Sequence, residues 1–205
     1  MALICRHIRA VLIILLIAIT TSFCASKNFL KVNYQLPTEP VELNGTRVVL
    51  TVKDKRENPT IVTKSAQKAL KNFTGDFALI VAKEKKEDKL VGAFGLSSMI
   101  REIFRHRLEN AGVQVVTQEN FEDAIVEIVL KEFSLDLQNR KWIIKMNYQA
   151  SLLKQNRVVA GETITGSAER LRVISGKNAE FVIGELVTDV VNRLNLNELL
   201  QAARM

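Results

Sequence analysis

Histidine and cysteine are nearly absent from this chain: two of each in 205 residues, His7 and His106, Cys5 and Cys24. A zinc centre built on Cys and His needs three or four such ligands, so that class is excluded. A serine-histidine-acid triad needs a serine elbow and a histidine with an orienting partner. No Gly-x-Ser-x-Gly occurs, and His106 follows Glu102 by four residues, the spacing of an ordinary surface pair on a helix. A disulfide framework is excluded as well, because Cys5 lies in the leader and leaves Cys24 without a mate. Aromatics make up 6% of the chain, and the net charge of +7 is spread among interleaved acids. A nucleic-acid partner would want a concentrated basic face with stacking rings. No phosphate-binding loop is present, since Gly92-Ala93-Phe94-Gly95 lacks the lysine and the spacing; a helix start or hinge is the natural role for these glycines. Carboxylate pairs such as Glu102/Glu109, Glu119/Glu122 and Asp123/Glu127 read as surface or turn positions. The composition therefore predicts no metal, no cofactor and no enzyme chemistry.

Long apolar runs are also missing. The longest extends from Ala10 to Ile19, short of the roughly 20 residues of a spanning helix. What surrounds it is informative. Arg6 and Arg9 precede it, and Thr20, Thr21, Ser22, Phe23, Cys24, Ala25 and Ser26 follow. A charged start, a short apolar stretch and a small or polar exit describe an export signal. The position of Cys24 resembles the bacterial lipoprotein signal, which implies lipidation at Cys24 and a signal over residues 1–23. Phe23 and Thr21 stand where that pattern takes a small residue and a leucine. Cleavage after Ser26 and an uncleaved anchor are the alternatives the residues leave open.

Residues 24–45 read as a lipid-anchored tether, with Pro37 and Pro40 among polar residues and an Asn44-Gly45 turn at its end. Residues 46–205 read as a single domain. Thr46–Lys53 predicts a strand buried on both faces. Residues 63–73 suit a short helix or a loop, and Phe77–Lys83 a short strand. Glu84–Lys89 is a run of charges expected in a solvated turn. Leu90–Ala111 predicts a helix with an apolar stripe of Leu96, Met99, Ile100, Ile103, Phe104 and Leu108, stopped by Gly112. Val113–Val116 then predicts a strand. Ala124–Leu137, Trp142–Leu152 and Val158–Val173 predict three long strands joined by polar hairpins. Ile183, Leu186, Val187, Val190, Val191 and Leu194 mark a last helix. The fold class expected is α+β: one mixed, mostly antiparallel sheet with two main helices packed on one face.

Asp54 and Arg56 close the first predicted strand on one side of the chain. Their natural role is a charge-assisted pair that fixes how the chain leaves the sheet. The lipoprotein-like signal, the strand ending in Asp54-x-Arg56, the loop, the helix ending near Gly112, the Asp123-Ala124-Ile125-Val126 strand and the antiparallel meander together resemble the YajG family of bacterial lipoproteins over most of residues 46–200. The same element order is similar to envelope lipoproteins that assist lipopolysaccharide assembly, activate peptidoglycan synthases or serve as auxiliary subunits of lipid transporters. The resemblance implies an outer-membrane, periplasm-facing interaction module without catalytic activity, held to the membrane through its N-terminal lipid and meeting an envelope protein partner. The alternatives are a soluble periplasmic protein, and a binder of lipid or another apolar ligand in a groove between helices and sheet.

Overall fold

Alternation of apolar and polar residues accounts for most of the elements. The computed structural model describes residues 28–38, 43–83, 88–117, 124–172 and 178–201. In chain order these are β1 (Asn28–Gln35), β2 (Arg47–Asp54), α1 (Lys64–Ala69), β3 (Phe73–Ala82), β4 (Lys89–Gly95), α2 (Leu96–Asn110), β5 (Gln114–Val116), β6 (Ala124–Gln138), β7 (Lys141–Lys154), β8 (Arg157–Leu171), α3 (Asn178–Arg193) and α4 (Leu196–Gln201). No helix among the described residues is long and apolar enough to cross a membrane.

Among the described residues two sheets form where one was expected. The smaller has the order β1-β3-β4 and the larger β5-β2-β6-β7-β8. Both are mixed: β1 runs parallel to β3, and β2 runs parallel to both β5 and β6, while the remaining neighbours are antiparallel. The source of the extra sheet is the stretch expected as tether. Leu30, Val32 and Tyr34 are buried there, alternating with polar Lys31, Asn33 and Gln35, and that period of two makes a strand. The long predicted helix likewise divides. Residues 89–95 pair with β3, and the helix begins only after Gly95, its N-cap. Gly92, at φ +159°, suits a strand irregularity better than a helix interior. Residues 84–87, within the charged run, lie outside the described residues.

Local chemistry sets the ends of the elements. Asn139 and Arg140, and again Gln155 and Asn156, all have positive φ. Two consecutive left-handed residues make the tight hairpin turn that matches strand twist, so β6, β7 and β8 form a meander. Helix α2 ends on Gly112 at φ +82°. The Val113 N–H donates to the Leu108 carbonyl (3.1 Å) and the Gly112 N–H to that of Glu109 (3.0 Å), which satisfies the last carbonyls of the helix.

The core lies on one face of the large sheet. Trp142, Ile144, Met146, Tyr148, Ala150 and Leu152 of β7 are all buried, together with the apolar stripes of α2 and α3. Tyr148 meets both helices. Its ring stands edge-on to Phe104 of α2, centroids 5.2 Å apart, and its hydroxyl donates to the Val190 carbonyl of α3 at 2.8 Å. Phe133 of β6 meets Phe77 of β3 (6.0 Å), joining the two sheets through one apolar cluster.

Candidate functional site

Asp54 and Arg56 form a two-pronged ion pair where β2 ends. Arg56 Nε donates to Asp54 Oδ1 (2.9 Å) and Nη2 to Oδ2 (2.8 Å), and the Arg56 backbone N–H adds a third bond to Oδ1 (3.2 Å). Nη1 reaches the Phe133 carbonyl of β6 (3.3 Å). The hydrogen bonds from Arg56 hold the Asp54 carboxyl below its usual range. The Arg56 side chain is only 5% exposed. All three donor nitrogens of its fork are thus used inside the protein, and the pair ties the chain after β2 to its neighbour strand. Cys24 lies outside the described residues.

The other acids and the histidine are engaged on the surface. Glu102 and Glu109 both bind Arg105, at 2.6 and 2.8 Å. Glu127 pairs with Lys53. Glu119, Glu122 and Asp123 lie outside the described residues. Burial, with Arg105 beside it, pushes the His106 pKa down, and Glu109 stands 3.9 Å from its Nδ1. Among the described residues no three His, Cys, Asp or Glu side chains gather as a metal site would require.

Two buried or networked polar groups carry no sequence motif. Asp136 of β6 accepts hydrogen bonds from the hydroxyls of Ser65 and Thr63, the Gln138 amide and the Leu137 N–H, chiefly the first two, which bring its pKa to about 2. Thr63 also caps α1, so this carboxylate docks the helix start on the sheet. Arg107 is 5% exposed, and its Nε and Nη1 have no hydrogen-bond partner. Burial pushes its pKa down, against the nearby Tyr34 and Tyr148 hydroxyls. Its spacing, four after Ile103 and three after Phe104, places it on the apolar stripe, and that spacing was its only signal.

The space between the Trp142 face and the helices is filled by buried side chains. An open groove of about 610 Å³ lies elsewhere, between β1 and α3, lined by Lys31, Asn33, Ile80, Glu180, Phe181 and Glu185 among others. Its carboxylates are already in use. Glu180 accepts the Lys31 N–H (3.0 Å), Glu185 pairs with Arg170, and Asp189 with Arg193 (3.1 Å).

The sheet edges differ sharply in how they are protected. Unpaired edge backbone invites another strand, and proteins blunt edges by covering, shortening or bulging them. The β1 edge is covered by α3. Besides Glu180, Thr188 Oγ1 accepts the Gln35 N–H (3.1 Å) and Asn192 Nδ2 donates to the Gln35 carbonyl (2.9 Å). Between them Gly184 lets the helix backbone approach Asn33. Edge strand β5 is 3 residues long. Edge strand β4 carries a register shift where Leu79 faces Gly92 and Ile80 faces Leu90. Edge strand β8 has 15 residues and a neighbour strand, β7, on one side. Most of its residues are exposed, including Val158 and Val159, and Glu162 is the one charge between Val158 and Ala168.

No family model matches this chain, and no curated protein matches it. Solved structures do. A Xanthomonas campestris protein of the family DUF330 is 16% identical, with a TM-score of 0.54, covering 87% of this chain and 98% of its own. A lipoprotein of Neisseria meningitidis is 12% identical (TM-score 0.30, covering 72% and 96%). A dodecameric PelC variant of Paraburkholderia phytofirmans is 11% identical (TM-score 0.32, covering 76% and 93%). The first likeness shows a shared fold. The other two support no conclusion.

Proposed function

We propose that this protein is a lipid-anchored, periplasm-facing interaction module of the bacterial outer membrane, without catalytic activity and related to the YajG-like lipoproteins. One observation carries the reading: a long edge strand, β8, with most of its residues exposed, on a well-packed domain whose ionisable side chains serve packing and surface pairing. Asp54–Arg56 fastens a strand end, Asp136 fastens a helix start, and Glu102, Glu109 and Glu127 are held by neighbouring cations. Such a surface suits recognition by backbone pairing and shape. The Cys24 position behind the apolar run supports the anchor, and the segment between Cys24 and β1 leaves the domain close to the membrane that would hold it.

Metabolic labelling with a palmitate analogue tests the anchor. Label on the native chain and none on Cys24→Ala is the expected result; identical soluble products from both would reject it. Photo-crosslinkers at β8 in living cells test recognition. Adducts from β8 and none from Arg101 on the polar side of α2 are expected.

A further inference from the structure

Among the described residues, three of the four sheet edges are blunted by three different devices: a covering helix on β1, brevity in β5 and a register shift in β4. The fourth, β8, is the longest of them; its register shift lies at one end, near Val159, and leaves Ala160 to Leu171 in regular pairing with β7, with Arg193 reaching the Thr165 carbonyl (3.0 Å). We infer that β8 is a self-association edge, along which two copies of this chain join their large sheets by antiparallel β8–β8 pairing about a two-fold axis at Gly166.

The occupant follows from the charges along the strand. Ala160, Glu162, Ile164, Gly166, Ala168 and Arg170 share a face, standing opposite inward-facing β7 residues from Leu152 to Trp142. Residues directly opposite in an antiparallel pair lie on the same face. Two copies of β8 therefore match only in registers that set this group against itself. Centring on Gly166 places Glu162 of each copy opposite Arg170 of the other, giving two symmetric ion pairs. Centring on Thr165 leaves Glu162 against Ala168 and Arg170 against Ala160, and centring on Glu162 sets two carboxylates face to face, which is destabilising. The favoured register also avoids the irregularity near Val159, where Leu152 faces Ala160 and Leu153 faces Val158. Arg170 already binds Glu185 through Nη2. An arginine fork has five donors, so a second carboxylate can be held without breaking the first pair.

This inference does not depend on the lipid anchor, and its test is separate from the labelling experiment. The full chain, purified in detergent, is followed by sedimentation velocity across a concentration series. Wild type is expected to dimerise. Glu162→Arg and Arg170→Glu are each expected to weaken the dimer about tenfold or more by facing like charges across the axis. The double reversal is expected to recover wild-type affinity to within about threefold, since it restores the complementary pairs. Thr163→Glu, on the opposite face of the same edge, would face Glu169 of the other copy in this register, so it should also weaken the dimer, and it guards against misfolding of the Arg170 variant. A monomer throughout the series overturns the inference, including the case where β8 pairs only with a different protein. A dimer indifferent to both charge reversals overturns it equally, because its interface would then lie elsewhere.

Discussion

A Cβ atom placed on Gly184 would stand 2.8 Å from the Asn33 carbonyl oxygen and 3.3 Å from its nitrogen. Helix α3 therefore rests directly on the backbone of strand β1, with Glu180, Thr188 and Asn192 bonding to the strand on either side. These positions recur every four residues along one face of the helix. Gly184→Ala sets two effects against each other. Alanine favours a helix by about 1 kcal/mol, while forcing an atom into a close backbone contact costs about 1–3 kcal/mol. The struck atom is backbone in a paired strand, so the clash wins. Chemical denaturation should show a lower midpoint for Gly184→Ala than for wild type.

Acid should loosen the junction between α1 and β6. The Asp136 pKa falls to about 2 because four donors favour its charged form, the Ser65 and Thr63 hydroxyls most of all. A carboxyl whose folded pKa lies below its unfolded value stabilises the fold above the unfolded value and loses that contribution as pH falls through the folded one. The effect is therefore present above about pH 4 and fades toward about pH 2. Asp136→Asn should flatten the stability profile in that window and leave it unchanged near neutrality in slope. A thermal-melt series from acid to neutral pH reads this directly, and parallel profiles for variant and wild type would refute it.

The Asp54–Arg56 pair predicts that lysine cannot replace arginine. Lysine offers a point charge and no planar fork, so the paired bonds to Asp54 and the bond to the Phe133 carbonyl cannot all be kept. Arg56→Lys should cost about 1–2 kcal/mol in equilibrium unfolding, a partly exposed carboxylate tempering the value for charged hydrogen bonds. Loss below a few tenths would show that the pair is ornamental.

Arg107 predicts a change of opposite sign. Its guanidinium is buried with two nitrogens lacking partners, and an arginine does not shed its charge. Exchanging a poorly compensated buried charge for an apolar residue of similar length stabilises by about 1–4 kcal/mol in comparable cases. Arg107→Met should raise the melting temperature, whereas Arg107→Ala, which also opens a cavity, should gain less. A lower melting temperature for the methionine variant would mean that the guanidinium has a partner in solution.

What was legible in the sequence is what short-range pattern can report. The stripes from Leu96 to Leu108 and from Ile183 to Leu194, the Trp142 alternation and the polar hairpin turns depend on residues within a turn or two of each other. Strand β1 was obscured because Pro37 and Pro40 follow it and suggested a spacer. Its alternation is brief, and its partner strand is distant in sequence. The start of α2 was misplaced because Val91 and Phe94 continue the helical apolar spacing, and pairing with β3 outweighs that local preference. The role of Glu180, Gly184, Thr188 and Asn192 was hidden for the same reason. On a helix wheel they look like a solvent face, and only the arrival of β1 turns them into a cover for its edge.

That cover has a consequence in time. Lys31 meets Glu180 across 149 residues of chain, Gln35 meets Thr188 across 153, and Tyr34 meets Asn192 across 158. A chain made from its N-terminus presents β1 early and the helix that shields it late. Until then the strand is an unguarded template. The order of emergence therefore makes the helix at Asn178–Arg193 the seal on this edge, and a chain halted before residue 178 would leave the backbone of β1 without the cover that Glu180, Thr188 and Asn192 give it.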